Sequence, residues 1–169
     1  WSPQGTLVVT VAGGENTGSL VEFDQDGTYL GRYAETGLGG MSSPWDVLFR
    51  EDDLLVADSG AKAILSLSVD GSAANEPFVE RINWPEQITA TPEGTVLTAN
   101  WSTSGTTDYG RGVQEFSADG EHLAEFTVDG ATSFAGVHPL GNGNILATTE
   151  DGVVEIDRAT GEATLEQVG

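Results

Sequence analysis

The apolar residues of this chain fall into short runs separated by clusters of Gly, Asp, Ser and Pro. Between Pro44 and Gly71 three such runs follow one another: Val47–Phe49, Leu54–Ala57 and Ile64–Val69. In the third, Ile64, Leu65, Leu67 and Val69 enclose Ser66 and Ser68, the period-two pattern of a half-buried strand. Asp70-Gly71 supplies a turn with φ > 0 that closes a tight hairpin, and Phe78-Val79 begins a fourth run. Four antiparallel strands in about forty residues make one blade of a β-propeller. Such a sheet cannot cover both of its faces alone, so it must stack on copies of itself.

The copies are present. Blades are expected at about 1–37, 38–80, 81–129 and 130–169, and the grammar from strand to turn recurs as EFDQDG, LSVDG, EFSADG and EIDRATG. The fold class is therefore all-β, a propeller of about four four-stranded blades. The first blade lacks its inner strand. Ser2-Pro3-Gln4-Gly5 corresponds to Thr91-Pro92-Glu93-Gly94, which follows an inner strand, and the residues of that strand would lie before Trp1. About fifteen strands result where four complete blades hold about sixteen, so the chain belongs to a larger propeller or is completed by a partner. Two segments exceed what the repeat needs, the polar stretch Trp101–Gly112 and the Gly-rich Leu38–Ser43. Loops of that kind are where scaffolds carry function.

Composition narrows the range of partners. Twenty-seven Asp and Glu stand against six Lys and Arg, a formal charge of −21, and Lys62 is the single lysine. Such a surface repels nucleic-acid phosphates and anionic lipid, and favours a salt-rich or extracytoplasmic setting where ions screen the self-repulsion. Cysteine is absent, which excludes disulfides and thiolate metal sites. No apolar run approaches the roughly 18 residues of a membrane helix, so membrane insertion is not expected.

The segments SPWDVLF, LLVADSG and ILSLSVDG, with their echo in FAGVHPLGNGNILATTEDGVVEIDRATG, resemble NHL-repeat and regucalcin/gluconolactonase-like propellers. The last repeat is also similar to repeats of arylsulfotransferase-like propellers. These resemblances imply the fold; the folds concerned host binders, lyases and lactonases alike. In gluconolactonase-like enzymes a carboxylate of the central channel binds a divalent cation, and Asp46 matches it roughly. Asn100 matches an Asn ligand, and the remaining family ligand, a Glu on an early inner strand, has no counterpart. With His138 these make a candidate metal set, Asp46, Asn100 and His138, for Ca²⁺ or Zn²⁺. The competing reading is that Asp46 and Asp58 bond backbone groups at strand ends.

First strands line the channel of a propeller, so Gln87 joins Asp46 among the expected channel residues. His122 is expected to face solvent from an outer strand. Trp45, Trp84 and Trp101 lie near blade starts or in the long loop; Trp45, Gln87 and Trp101 are the candidate ligand-binding residues, suited to a sugar or small polar ligand. Neither GxSxG nor HExxH occurs. The expected role is a non-catalytic binding or assembly scaffold that presents loops to a ligand or protein partner, or self-assembles. The alternative is a divalent-metal-dependent hydrolase or lyase with its site in the channel.

Overall fold

In the computed structural model residues 1–102 and 108–166 are described, 164–166 by their backbone alone. Ser104-Gly105 and the last two residues of the expected strand 163–168 lie outside the described residues. Every described strand belongs to an antiparallel sheet between sequence neighbours. The first sheet has three strands, β1 (Leu7–Val11), β2 (Ser19–Phe23) and β3 (Tyr29–Ala34). The second has four, β4 (Pro44–Phe49), β5 (Asp53–Asp58), β6 (Ala63–Ser68) and β7 (Val79–Glu80). The third comprises β8 (Pro85–Ala90), β9 (Val96–Asn100), β10 (Gly112–Phe116) and β11 (His122–Phe126). The fourth comprises β12 (Phe134–Pro139), β13 (Ile145–Thr149), β14 (Gly152–Ile156) and β15 (Ala163–Glu166). Helix is confined, among the described residues, to one 3-10 turn at Leu38–Gly40.

The chain forms two compact units, Trp1–Glu80 and Arg81 onward. In the first, Val8 and Leu20 pack with Met41, which follows the 3-10 turn, and with Leu54, Val56, Leu65 and Leu67 of the second sheet. In the second, Leu97, Val113 and Phe126 pack with Phe134, Val137, Ile145 and Val154. Each core is thus the closure of two facing sheets, the arrangement that the burial of both faces of β5 and β9 demands.

The β2–β3 and β10–β11 hairpins share one hydrogen-bond scheme. Asp24 N–H donates to Thr28 C=O (3.0 Å) and Gly27 N–H to Asp24 C=O (3.1 Å); Ser117 with Glu121 and Gly120 repeats the pair at 2.8 and 3.1 Å. Gly27, Gly71 and Gly120 have φ of 80°, 69° and 87°, whereas the Asp before each stays in ordinary conformations. The sequence suggested that the Asp-Gly pair alone makes the turn. The loops are longer because an oxygen two or more residues earlier gathers the amides: Asp24 Oδ1 accepts from Asp26 and Thr28 N–H (2.9 and 2.7 Å).

The same scheme precedes β1. Ser2 N–H donates to Thr6 C=O (2.8 Å) and Gly5 N–H to Ser2 C=O (2.9 Å), as Thr91 does with Thr95 and Gly94 between β8 and β9 (2.9 and 3.0 Å). Among the described residues β1 nonetheless pairs only with β2. Gly18 N–H on Val11 C=O fixes the alternation: Leu7, Val9 and Val11 bond towards β2, and Thr6, Val8 and Thr10 face the open edge.

Candidate functional site

All three described first strands carry a register slip just after they begin. It falls between Pro44 and Asp46 in β4, between Pro85 and Ile88 in β8, and between Phe134 and Gly136 in β12. A slip of this kind leaves a residue without a ladder partner and re-aims its side chain. Trp45, Glu86 with Gln87, and Ala135 occupy the slipped positions. The sheet end that the sequence marked for function is therefore also where the ladder breaks.

Within the first unit, Trp45 is 48 % exposed and its Nε1 donates to Ser59 Oγ (2.8 Å). Its carbonyl accepts from Thr10 Oγ1 (3.0 Å), which ties β1 to β4. Asp46 is half-buried and its Oδ1 accepts from the N–H of Val47 (2.8 Å). Asp58, fully buried, gathers the N–H groups of Ser42 (2.7 Å), Ser43 (3.0 Å) and Ala61 (2.8 Å). It is a clamp that holds the entry of β4 against the end of β5.

Glu150 performs the same task in the second unit. Its carboxylate accepts from the backbone N–H and hydroxyl groups of both Thr132 and Ser133. The Thr132 hydroxyl and the local amides hold its pKa down to about 2. Gln87 is likewise committed, its Oε1 accepting from Val137 N–H (2.8 Å) and so linking β8 to β12. His138 is exposed. Asn100 is fully buried and its Nδ2 donates to Gly110 C=O (2.9 Å).

Asn100 opens onto a polar layer that was not expected. On the second sheet Val56 and Leu65 occupy the places that Thr98 and Gln114 hold on the third. Gln114 Nε2 donates to Glu125 Oε2 (2.8 Å), and its Oε1 accepts from His122 Nε2 (3.0 Å). The His122 ring lies against Tyr109 (centroids 4.8 Å apart) and Phe116 (5.4 Å). His122 was expected to face solvent. It is exposed, as expected, and its ring is also held by Gln114 and two aromatic rings, which spacing along the chain does not reveal.

Another cross-strand group joins the third and fourth sheets. Glu115, 4 % exposed, receives Arg158 through Nε (3.0 Å) and a terminal guanidinium nitrogen, while a third nitrogen reaches Glu93 (3.0 Å). A shallow cleft of about 160 Å³ lies beside it, lined by Thr91, Glu93, Leu140, Asn144 and Arg158 among others. Arg158 is saturated by its own carboxylates, so the cleft offers a ligand little charge.

The candidate metal set divides between the units, Asp46 in the first and Asn100 with His138 in the second. Among the described residues, no three of His, Cys, Asp and Glu gather in a metal-binding group. Glu86 and Trp84 complete the chemistry of the third sheet's slipped end. Trp84 is 42 % and Trp101 40 % exposed, and Trp101 N–H donates to Trp84 C=O (3.0 Å). Glu86 carries no hydrogen bond among the described residues, and burial pushes its carboxyl above the ordinary value of 4.5. The sequence signal for Glu86 was its alignment with Trp45 at the second position of a first strand.

No protein-family model and no curated protein sequence matches the chain. Solved structures do. Streptogramin B lyase is 18 % identical with a TM-score of 0.68, the match covering 96 % of this chain and 51 % of the lyase. A gluconolactonase-like protein is 15 % identical with a TM-score of 0.67, over 99 % of this chain and 68 % of that one. The WD40 propeller domain of Doa1 is 14 % identical with a TM-score of 0.67, over 96 % and 48 %. The chain thus spans about half the length of the lyase and of the Doa1 domain. Identities this low carry the fold and nothing narrower: four antiparallel sheets of propeller type, of the kind found in the NHL and regucalcin-like propellers that the sequence resembles.

Proposed function

We propose that this chain is a non-catalytic binding and assembly scaffold, in which the first sheet takes its fourth strand from a neighbouring molecule. The observation that carries the reading is the open edge of β1. Three sheets have four strands and this one has three, with Val8 and Thr10 facing outward. Leu7 and Val9 are 38 % and 37 % exposed, so the edge combines backbone groups unpaired among the described residues with apolar side chains. Natural sheets cover or charge such edges, and strand addition is a recurrent mode of recognition. The commitment of Asp58, Glu150 and Gln87 to backbone amides further supports a scaffold. We place it in an extracytoplasmic or salt-rich setting on the strength of its acid excess.

Light scattering and hydrogen exchange on the 169-residue chain test the proposal. Association is expected to grow with protein concentration and with NaCl, since salt screens the repulsion between molecules of charge −21. The amides of Val8 and Thr10 should become protected as it grows. A monomer at all concentrations, with those two amides exchanging freely, would overturn the assembly reading and point to a ring that closes with one three-stranded blade.

A further inference from the structure

The slipped end of the third sheet is built differently from that of the second. In the second sheet the rung beyond Pro44↔Asp58 is closed by Ser59 N–H on Ser43 C=O (3.1 Å). In the third, the rung beyond Pro85↔Asn100 is closed by Trp101 N–H on Trp84 C=O (3.0 Å). The backbone bond is the same; two serines have become two tryptophans, opposite each other on neighbouring strands and 42 % and 40 % exposed. Trp84 also sits at φ 49°, in the left-handed region, directly before Pro85. An aromatic residue before a proline ordinarily adopts the extended region, so the fold holds this side chain out against a local preference. Strain of this kind gathers at ligand sites. Two positions further along the chain from Trp84 lies Glu86, half-buried and without a hydrogen-bond partner among the described residues. Beneath the rung Asn100 is fully buried, its Oδ1 unpartnered among the described residues.

We infer that Trp84 and Trp101 form a binding ledge for an organic cation, an alkylammonium or guanidinium group, with Glu86 as its counter-charge. Indole faces attract cations, most strongly where water is partly excluded. A molecule of charge −21 concentrates cations at its surface. A neutral sugar fits less well, because two amide donors that would orient it are committed to backbone carbonyls, Asn83 Nδ2 to Ser102 C=O (2.8 Å) and Asn100 Nδ2 to Gly110 C=O. The ledge deepens the binding half of the proposed function and is independent of the β1 edge.

The test is a titration of the full chain with choline, read from the four tryptophan indole N–H signals by NMR at constant ionic strength. The neutral isostere 3,3-dimethylbutan-1-ol serves as the comparison. Choline should shift the Trp84 and Trp101 signals saturably, leaving Trp1 and Trp45 in place, and the alcohol should not. Trp101→Ala is expected to weaken binding by about two- to thirtyfold, the span of one cation–π contact. Glu86→Gln should weaken it too, with the other signals undisturbed as evidence of an intact fold. Equal shifts from the alcohol would make the ledge a plain apolar patch and overturn the inference. Uniform shifts of all four signals, shifts only with a neutral oligosaccharide, or no shift at all would each do the same. Every one of these outcomes leaves the oligomeric state, and so the assembly reading, to its own experiment.

Discussion

Replacing Gly71 and Gly27 by alanine separates two effects that a turn glycine usually combines. Both residues are in the left-handed region, at φ 69° and 80°, and both close hairpins of the first unit. At Gly27 an added Cβ meets nothing within 4 Å. Gly27→Ala therefore carries only the backbone term, about 1–2 kcal/mol for an L-residue forced to positive φ. At Gly71 the same atom would land on the carbonyl oxygen of Tyr33, and 2.7 and 2.9 Å from its ring carbons Cδ1 and Cε1. That oxygen belongs to β3, which is held by pairing with β2, and the Tyr33 hydroxyl is bonded to Val69 C=O. Neither side gives way easily, so overpacking adds about 1–3 kcal/mol. Gly71→Ala should destabilise by about 2–5 kcal/mol in total. At about 2–4 °C per kcal/mol for a chain of this size, the two variants differ by several degrees in melting temperature. Thermal melts followed by circular dichroism measure it. Equal shifts for the two variants would mean that the turn at Gly71 does not stand against β3, and would refute the reasoning.

Three further outcomes are expected. Glu150 is held near pKa 2 against an ordinary 4.5, so its contribution is present above pH 4.5 and lost as pH falls towards 2. Glu150→Gln should melt lower than the wild type at pH 7, and the two melting curves should converge on acidification; parallel curves would remove Glu150 as the clamp on Thr132 and Ser133. Arg158→Met strands a Glu115 that is 4 % exposed and should cost about 2–4 kcal/mol, reduced from a fully buried pair because the Arg158 side chain is 25 % exposed. Adding Glu115→Gln should recover most of that loss, and no recovery would show that the Arg158 stem, not the charge pair, was stabilising. Under the scaffold reading, melting is the same with EDTA and with excess Ca²⁺ or Zn²⁺. A cation-dependent rise that Asp46→Ala abolishes would replace that reading with the metal-dependent one.

Periodicity revealed the strands because each depends on its own five or six residues. The runs Leu7–Val11 and Ser19–Phe23 coincide with β1 and β2, and the three described strands of the first sheet could be inferred from the match of Ser2–Gly5 to Thr91–Gly94. What stayed hidden needs contacts distant in sequence. Arg158 reaches Glu115 across 43 residues, and its only trace is a basic residue in a turn where the other repeats have Gln25, Val69 and Ala118. The layer of Thr98, Gln114, Glu125 and His122 requires three strands to be paired in register before all of its members meet. The left-handed Trp84 is less legible still, because the sequence before a proline argues for the opposite conformation.

Repeats provide their own control for what a position is for. Where the scaffold needs an oxygen to gather amides at a strand end, it uses Asp58 in one sheet and Glu150 in another, and the geometry barely changes. Where it needs to close the rung beyond a first strand, the bond is 3.1 Å with serines and 3.0 Å with tryptophans. Side chains that can be exchanged without altering the bond are not what makes the bond. Two exposed indoles, one of them held at positive φ, are poor choices for a rung that serine closes equally well. Their presence on the third sheet is what the proposed cation ledge accounts for, with Glu86, two residues along the chain from Trp84, as its counter-charge.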